Sequence, residues 1–467
     1  MNEQAVPSTL CIFEDERFPN FFPLSLDNPV FDLRIGTLTV LGRLLAELTP
    51  ERLILLHRPY LAGCRMADSR KAENEIELIA NDMHEGEVIF LNGRLLTFGD
   101  ELRELLAGLT PGTIIHKKGV TVAASLSGDQ MQSFYGYLST PLSDEEMQRI
   151  VQGIKEMAVP TGKKKKGLND SEGEGSREET LTGWAEQHGC SLVPTEVRLL
   201  SHYWQLIGEN PACIIDDFKK NPLRGTAPEA NLFKGVDLIN EEDIVIGSDV
   251  EVRSGTVLDA SEGPIIIADR VRIEPNAIVY GPCYIGDGSI IRGGAKIGHG
   301  TSIGTQCRIG GEVEETLVAS YSNKQHEGFL GHSYVGSWTN LGAGSCNSDL
   351  KNNYSIVRAW SKGVVRETGR RFLGAVIADH AKLAINTRLN TGTVVGFNAN
   401  VLSTGFPPKF VPSFTWSLEP EYVEYELDKA IETAKIMMDR RNIPFSNELG
   451  ELFKTLYRFC RQSGHTI

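Results

Sequence analysis

The chain has 467 residues, enough for two to four domains at roughly 100–200 residues each. Acidic residues outnumber basic ones by 61 to 47, so the formal charge of −14 argues against a broad basic surface for nucleic acid or anionic lipid. No apolar run approaches the roughly 20 residues that span a bilayer, which excludes a membrane-spanning segment. The N-terminal segment MNEQAVPSTLCIFEDE lacks the features of a signal peptide, and the eight cysteines include no CxxC pair, so we expect a cytoplasmic protein.

Residues 1 to about 217 alternate between short apolar runs and segments of helical periodicity. Strands are predicted at Thr9–Phe13, Arg52–His57, Val88–Asn92, Thr113–His116 and Val120–Ser125. One helix is predicted where leucines recur on a single face, at Leu38, Leu41, Leu44, Leu45 and Leu48. Another begins with a capping box at Ser143 and Glu146 and continues to Ile154. The alternation predicts an α/β layered domain with a largely parallel sheet.

The segment Pro160–Glu179 (PTGKKKKGLNDSEGEGSREE) contains almost no apolar residue. It cannot bury enough surface to offset the entropy lost on ordering, so we predict a disordered loop at about 160–180. The basic run Lys163–Lys166 could contact phosphate. The acidic half of the same segment balances its charge, however, which favours a solvated linker.

From residue 244 to about 405, aliphatic residues recur every six positions. The longest run is Ile267, Ile273, Val279, Ile285, Ile291, Ile297, Ile303 and Ile309. The shorter runs are Ile246, Val252 and Leu258; Phe329, Val335 and Leu341; and Ile377, Leu383, Leu389, Val395 and Val401. A period of six is typical of a hexapeptide β-solenoid, and the runs predict about six triangular coils. Two polar insertions are predicted to interrupt them, at Gly311–Gly328 and Asn347–Arg371.

Beyond Pro407-Pro408 the chain returns to helical spacing. Apolar residues lie on one face of Glu421–Arg441, at Val423, Leu427, Ile431, Ala434 and Met438. We predict an amphipathic helix that packs on the solenoid or on a neighbouring subunit. Three regions result: an α/β region at 1–230, a β-helix at 231–408 and a helical tail at 409–467.

This combination resembles the bifunctional enzymes that join a sugar-1-phosphate nucleotidyltransferase to a glucosamine-1-phosphate acetyltransferase. A closer resemblance is to the divergent GlmU-related sugar nucleotidyltransferases, through IFEDERFPNFFPLSLDNPVFDLRIG at Ile12–Gly36 and SNKQHEGFLGHSYVGSWTNLGAGSCNSDLKNNY at Ser322–Tyr354. It implies a nucleotidyltransferase-like domain, a left-handed parallel β-helix, a C-terminal helix and a homotrimer. It also implies a cytoplasmic transferase of nucleotide-sugar synthesis that binds a nucleoside triphosphate, a sugar 1-phosphate and acetyl-CoA, with Mg²⁺ for nucleotidyl transfer.

The solenoid contains the sequence GHSYVG, then NLGAG and CN, where the family has GHLTYLG, NIGAGT and CNYDG. By this resemblance His332 is the general base, and an imidazole can accept a proton from an attacking amine near neutral pH. Tyr334, Asn340 and Asn347 would orient the amino sugar and the acyl group, and Lys351 would lie near the sugar phosphate. The match of Tyr334 is approximate, because it follows the histidine by two residues and not three.

The N-terminal region departs from the family at two places. The loop after the first strand, Glu14–Pro19, has no glycine, although a glycine-rich loop normally holds the triphosphate. After the strand at Val88 the sequence reads Asn-Gly-Arg where the family has Gly-Asp, whose aspartate holds the metal. The metal ligands are left open, with Asp15 and Asp217 as candidates. The candidate nucleotide- and sugar-phosphate-binding residues are Arg17, Arg34, Asn92, Gly93 and Arg94.

Two other functions are compatible with these patterns. One is a non-catalytic trimeric scaffold that binds a nucleotide sugar. The other is a metal-dependent, carbonic-anhydrase-like β-helix in which His299, His326 and His332 meet across a subunit boundary, since neutral imidazoles suit zinc. A scaffold has no need of a base and two amides beside a polar insertion, so the set His332, Asn340 and Asn347 favours the enzyme.

Overall fold

The computed structural model describes residues 8–64, 77–82, 86–96, 99–139, 174–226, 230–417 and 423–461. Packing divides them into two compact units. The first holds the described residues of Met1–Phe21, Asn28–Leu33 and Leu38–Ser201. The second holds those of Phe22–Asp27, Arg34–Thr37 and His202–Ile467. The helix Tyr203–Lys220, which precedes residue 230, therefore packs with the second unit.

A seven-stranded mixed sheet forms the core of the first unit. Its strands are β1 (Thr9–Phe13), β2 (Arg52–Leu56), β3 (Glu77–Ala80), β4 (Glu87–Asn92), β5 (Thr113–Lys117), β6 (Val120–Ser127) and β7 (Ser191–Pro194). They lie in the order β3-β2-β1-β4-β6-β5-β7, and only β6 runs antiparallel to its neighbours. All five predicted strands are present, and the largely parallel sheet is confirmed.

Four helices are described in the first unit. They are α1 (Val40–Glu47), α2 (Asp100–Ala107), α3 (Gly128–Ser139) and α4 (Glu174–His188). The leucine pattern correctly predicted α1, whereas the capping-box helix at Ser143–Ile154 lies outside the described residues. The predicted disordered loop is wrong at its C-terminal end, because α4 begins at Glu174; residues 160–173 lie outside the described residues. Apolar residues after the polar stretch explain α4, since Leu181 and Ala185 are buried and Trp184 contacts Phe134 with ring centroids 5.1 Å apart.

The second unit is a left-handed parallel β-helix with hexapeptide repeats, as predicted. Face A has nine strands: Ala230–Leu232, Val250–Val252, Arg272–Ile273, Ile290–Ile291, Arg308–Ile309, Asn323–Lys324, Asn340–Leu341, Lys382–Leu383 and Asn400–Val401. Face B has six: Asp237–Ile239, Val257–Asp259, Ile278–Tyr280, Lys296–Ile297, Glu312–Glu314 and Phe329–Gly331, followed by the pair Cys346–Asn347 and Arg388–Leu389. Face C has nine: Ile244–Ile246, Ile265–Ile267, Cys283–Ile285, Thr301–Ile303, Leu317–Val318, Tyr334–Val335, Val376–Ile377, Val394–Val395 and Phe410–Val411.

The described faces make nine coils, more than the predicted six, because the coils begin at Ala230 and end at Val411, beyond the predicted runs, and because Gly311–Gly328 is itself a coil and not an insertion. Its strands pair in register above and below, with Val313 and Val318 inside the prism. The period was hidden because Ile309 and Val313 are four residues apart, and because Lys324 occupies an inward position opposite Ile309. In the next strand of face B the predicted core position is wrong by one residue, because Leu330 packs in the core and Phe329 does not.

The second predicted insertion, Asn347–Arg371, does leave the coil path. It carries a hairpin of Arg358–Ser361 and Val364–Glu367. An antiparallel bridge between Leu350 and Phe372 ties its two ends together. Asp349, directly before Leu350, is held in place by a hydrogen bond from Leu373 N–H to its carbonyl at 2.9 Å.

Helices flank the β-helix at both ends of its sequence. Helix α5 (Tyr203–Lys220) precedes the coils, and Ile214 and Phe218 pack on Val245 and Ile266. After the last coil, Thr415–Ser417 pairs with Val423–Glu424 and is followed by α6 (Leu427–Asp439) and α7 (Asn447–Arg461). The predicted tail helix corresponds to α6, with Met438 buried as expected, whereas α7 was missed. Phe453 of α7 packs edge-on against His380, with ring centroids 5.1 Å apart.

Candidate active site

His332 lies at a corner of the β-helix, directly after the strand that ends at Gly331. Its backbone is left-handed, with φ of +47°. The corner is held by hydrogen bonds from His332 N–H to the carbonyl of Glu314 (3.1 Å) and from Gly374 N–H to the carbonyl of His332 (2.8 Å). The same conformation occurs at Glu315 one coil earlier. The corner geometry therefore explains the backbone of His332 and directs its side chain out of the core.

One nitrogen of the His332 ring is held and the other is free. Nδ1 lies 2.7 Å from Oδ2 of Asp349, and the ring stacks on Phe372 at a centroid distance of 4.9 Å. A carboxylate accepts only, so Nδ1 carries the proton and Nε2 presents its lone pair. Nε2 has no hydrogen-bond partner among the described residues, and the side chain retains 15% exposure. This arrangement suits a general base.

Glu314 is the second carboxylate at this corner. Ligand atoms of Glu314, His332 and Asp349 lie within 4.8 Å of one another. Burial raises the pKa of Glu314, and the His332 charge partly offsets that rise. Sequence reasoning missed Glu314, Asp349 and Phe372. The aspartate had a signal, since it stands where the family motif CNYDG has its acid; Glu314 had none, because its coil was taken for an insertion.

Asn347 is brought to the site, but as a support for the backbone. Its Oδ1 accepts from Gly331 N–H at 2.9 Å, and its Nδ2 donates to the Gly331 carbonyl at 3.0 Å. Asn347 is 6% exposed. A Cβ at Gly374 would lie 2.3 Å from this Nδ2, so glycine is required there.

The other three predicted acyl-transfer residues are dispersed. Tyr334 is buried, and its hydroxyl accepts from Arg34 N–H at 2.9 Å. Asn340 lies exposed on face A, whereas His332 follows a strand of face B. Lys351 donates to the carbonyl of Ile356 at 2.6 Å, within the insertion. Within one chain these residues do not surround His332.

The histidines of the zinc alternative do not converge within one chain. His299 lies 3.6 Å from Glu315, not beside His332. In the described ranges the one group of three metal-ligating side chains contains neither His299 nor His326. The arrangement expected for a carbonic-anhydrase-like site would need residues of other subunits.

In the first unit, the ends of β1 and β4 bring charged residues together at one edge of the sheet. These strands pair in parallel, with Phe13 opposite Asn92. Asp15 accepts through Oδ1 from Arg94 Nε (2.8 Å) and Arg17 N–H (3.1 Å), and through Oδ2 from Asn92 Nδ2 (2.9 Å) and Arg94 Nη2. Burial alone would raise the pKa of Asp15, but the Arg94 charge and these hydrogen bonds lower it to about 2.

The remaining predicted phosphate ligands divide between the two units. Arg34 belongs to the second unit, where its guanidinium donates to the carbonyl of Thr37 at 2.7 Å. Gly93 is required by packing, since a Cβ would lie 2.6 Å from Phe31. Arg94 is 1% exposed and fully engaged with Asp15 and the carbonyl of Leu200. Among these arginines, Arg17 has a buried Nε without a hydrogen-bond partner in the described residues.

Mg²⁺ does not fit the two predicted metal ligands, Asp15 and Asp217, or Glu14 beside Asp15. Both oxygens of Asp15 are occupied, and a guanidinium already provides the positive charge beside them. Glu14 is fully buried and paired with Arg58 at 3.0 Å. Asp217, the other candidate, lies in the second unit and accepts from Thr37 N–H and Oγ1 at 2.8 and 2.9 Å. A hydrated divalent cation needs open carboxylate oxygens, which these residues do not offer.

Both regions of the chain match models of known protein families. Residues 10–222 match the family model described as sugar nucleotidyl transferase, and residues 264–299 match the bacterial transferase hexapeptide model of six repeats. The "Bifunctional protein GlmU" of Wigglesworthia glossinidia brevipalpis is 28% identical over 193 residues, 40% of this chain and 38% of the relative. That of Janthinobacterium sp. is 28% identical over 238 residues, 44% of this chain and 50% of the relative.

A third relative is the "Bifunctional sugar-1-phosphate nucleotidylyltransferase/acetyltransferase" of Sulfurisphaera tokodaii. It is 30% identical over 218 residues, 46% of this chain and 48% of the relative. The chain thus spans about half the length, or less, of the curated relatives it matches. The predicted resemblance is confirmed: a sugar nucleotidyl transferase domain precedes hexapeptide repeats, as in bifunctional relatives. None of the described helices is long and apolar enough to cross a membrane.

Proposed function

We propose that this protein is a transferase of nucleotide-sugar synthesis, and that its β-helix moves an acetyl group from acetyl-CoA to the amine of an amino sugar 1-phosphate. The observation that carries the proposal is the His332 ring, with Nδ1 bound to Asp349 at 2.7 Å and Nε2 free. Asp349 fixes the tautomer and stabilises the imidazolium that forms when Nε2 accepts a proton. Glu314 adds a carboxylate that suits a positively charged amine.

The proposed reaction balances with this single base. The amine nitrogen attacks the thioester carbonyl, so an N–C bond forms and the C–S bond breaks. His332 Nε2 takes the proton that the nitrogen loses and then returns it to the departing CoA thiolate. Asn347 acts indirectly, because it holds Gly331 and thereby the position of His332.

The first unit is proposed to bind the nucleoside triphosphate and the sugar 1-phosphate for nucleotidyl transfer. The match of residues 10–222 to the sugar nucleotidyl transferase model supports this, together with the names of the bifunctional relatives. No step is assigned to Mg²⁺, because Asp15, Glu14 and Asp217 do not fit it.

A homotrimer is part of the proposal. The late coils expose large apolar side chains, with Ile385 71% and Phe406 59% accessible, and closed association would cover them. Light scattering should give three chains per particle, and Ile385→Asp should yield a smaller species; a wild-type monomer would rule out an inter-subunit site. All eight cysteines are free thiols, which supports a cytoplasmic location.

The test is acetyl transfer from acetyl-CoA to glucosamine 1-phosphate, followed by release of the CoA thiol. We expect His332→Ala to lower the rate by about 10²–10⁴-fold, the usual contribution of a general base. His299→Ala is the matched control, because its half-exposed ring lies on the same β-helix, 3.6 Å from Glu315, and outside the group formed by His332, Glu314 and Asp349. Equal rates in the two variants would reject His332 as base, and no thiol release by wild type would favour the scaffold.

A further inference from the structure

The edge formed by β1 and β4 contains three arginines around two carboxylates. Arg94 and Arg17 neighbour Asp15, and Arg177 lies 3.3 Å from Glu16. Three guanidinium groups against two carboxylates leave one net positive charge. In a sugar nucleotidyl transferase domain, the same edge is expected to present acidic ligands for a divalent cation. Its charge here is reversed.

The buried member of this cluster is locked. Arg94 and Asp15 have side chains 2% and 5% exposed, and each Asp15 oxygen accepts two hydrogen bonds. Releasing either group to bind a ligand would leave the other as an unpaired buried charge, which is strongly unfavourable. Neither group is therefore available to a cation or to a phosphate.

Arg17 is the arginine of this cluster that can bind an anion. Its backbone is fixed by a hydrogen bond to Asp15, yet its buried Nε has no partner in the described part of the chain. Burial lowers the pKa of Arg17, and repulsion from Arg94 and Arg177 lowers it further, although the charges of Asp15 and Glu16 partly offset that repulsion. An anion beside Arg17 would relieve this repulsion and fill the vacant donor, and guanidinium groups match phosphate oxygens in geometry.

We propose that the first unit binds the phosphate groups of a nucleoside triphosphate without a divalent cation, with Arg94 permanently neutralising Asp15 and Arg17 donating to the phosphate. The inference rests on the proposed nucleotide binding of this unit and is independent of acyl transfer. Because Mg²⁺ shields phosphate charge, the ion should weaken this contact and not strengthen it.

The experiment is calorimetric titration of the full-length protein with UTP, dTTP and inorganic pyrophosphate, each in EDTA and again in excess Mg²⁺. We expect at least one probe to bind in EDTA, with equal or lower affinity in Mg²⁺. Arg17→Met should weaken binding by on the order of tenfold or more, as expected for a lost charged hydrogen bond, and Arg17→Lys should recover part of it. Arg103→Met is the control, because this arginine is exposed on α2 and its ion pair is with the exposed Asp100 of the same helix.

Three outcomes would overturn the inference. Binding that is at least tenfold tighter in Mg²⁺ and lost in EDTA would show a metal-dependent site, while leaving the proposed nucleotidyl transfer intact. No binding of any probe under either condition would reject both the inference and the nucleotide half of the proposed function, with acyl transfer still measured separately. Equal affinities of Arg17→Met and Arg103→Met, with unchanged melting temperatures, would exclude Arg17 as the phosphate ligand.

Discussion

The two units each contain a polar cluster built around an aspartate, and the clusters differ in whether all of their hydrogen-bonding atoms have partners. Around Asp15 both carboxylate oxygens and the Arg94 guanidinium are saturated by one another and by the backbone. At the solenoid corner, Asp349 engages one nitrogen of His332 and leaves the other free. A saturated buried network stabilises the fold, whereas a partly saturated one can accept a proton or a ligand. The difference assigns a structural role to Arg94 and a chemical one to His332.

Breaking the saturated network gives the largest expected effect. Arg94→Met leaves Asp15 as an unpaired buried charge, so the first unit should lose about 3–5 kcal/mol of unfolding free energy. Calorimetry of the unfolding transitions measures the loss, and Asp15→Asn in the same chain should restore part of it. The exposed pair variant Arg103→Met should change stability by less than about 1 kcal/mol.

The network of Asp15 and Arg94 also predicts that the first unit loses stability at low pH. The folded-state pKa of Asp15, about 2, lies below its usual 3.8, so its ionisation stabilises the fold above about pH 4. That contribution is lost as pH falls through about 2. If Arg94→Met matched wild type at pH 7 and pH 3, the network would not be structural.

Removing the support of the unsaturated centre should change catalysis more than stability. Asp349→Asn no longer stabilises the imidazolium and can present the wrong tautomer, so acetyl transfer should fall on the order of a hundredfold. An unchanged rate in Asp349→Asn would show that the contact with Nδ1 of His332 does not support catalysis.

Lys324 offers an intermediate case, bonded but not paired with a carboxylate. Its Nζ donates to the carbonyls of Gly310 and His326 at 2.8 and 3.1 Å inside the prism. Burial, only partly offset by Glu327 and other negative neighbours, lowers its pKa from 10.5 to about 8. Because the folded-state pKa lies below that of the unfolded chain, the charge destabilises the fold fully below about pH 8, and this cost vanishes as pH rises through 10.5.

Lys324→Met removes this cost and should stabilise the β-helix at pH 7 by on the order of 1–3 kcal/mol, less the loss of two hydrogen bonds. The gain over wild type should shrink between pH 8 and pH 10.5 in urea titrations. Lys296→Met, on an exposed position of face B, should show no such pH dependence. A constant difference across this range would mean that folding does not lower the pKa of Lys324.

The sequence predicted the β-helix well because its period is a local constraint that each coil imposes on the next. Strict six-residue spacing from Ile267 to Ile309 placed every one of these side chains in the core. Prediction failed where that spacing was broken: the coil at 311–328 has shortened corners and a lysine inside. Helix α7 was missed, although its apolar side chains cover the aromatic residues of the last coils.

For the candidate site, the sequence by itself predicted His332 as the base, because it lies in a short motif, but it did not single out Asp349 in the CNSDL segment. Only the tertiary structure decided which groups meet. Asp349 reaches His332 because the Leu350–Phe372 bridge folds the insertion back, and Arg94 reaches Asp15 because β1 and β4 are parallel neighbours. Such pairings depend on strand order and loop closure, which bring together residues that no local spacing relates.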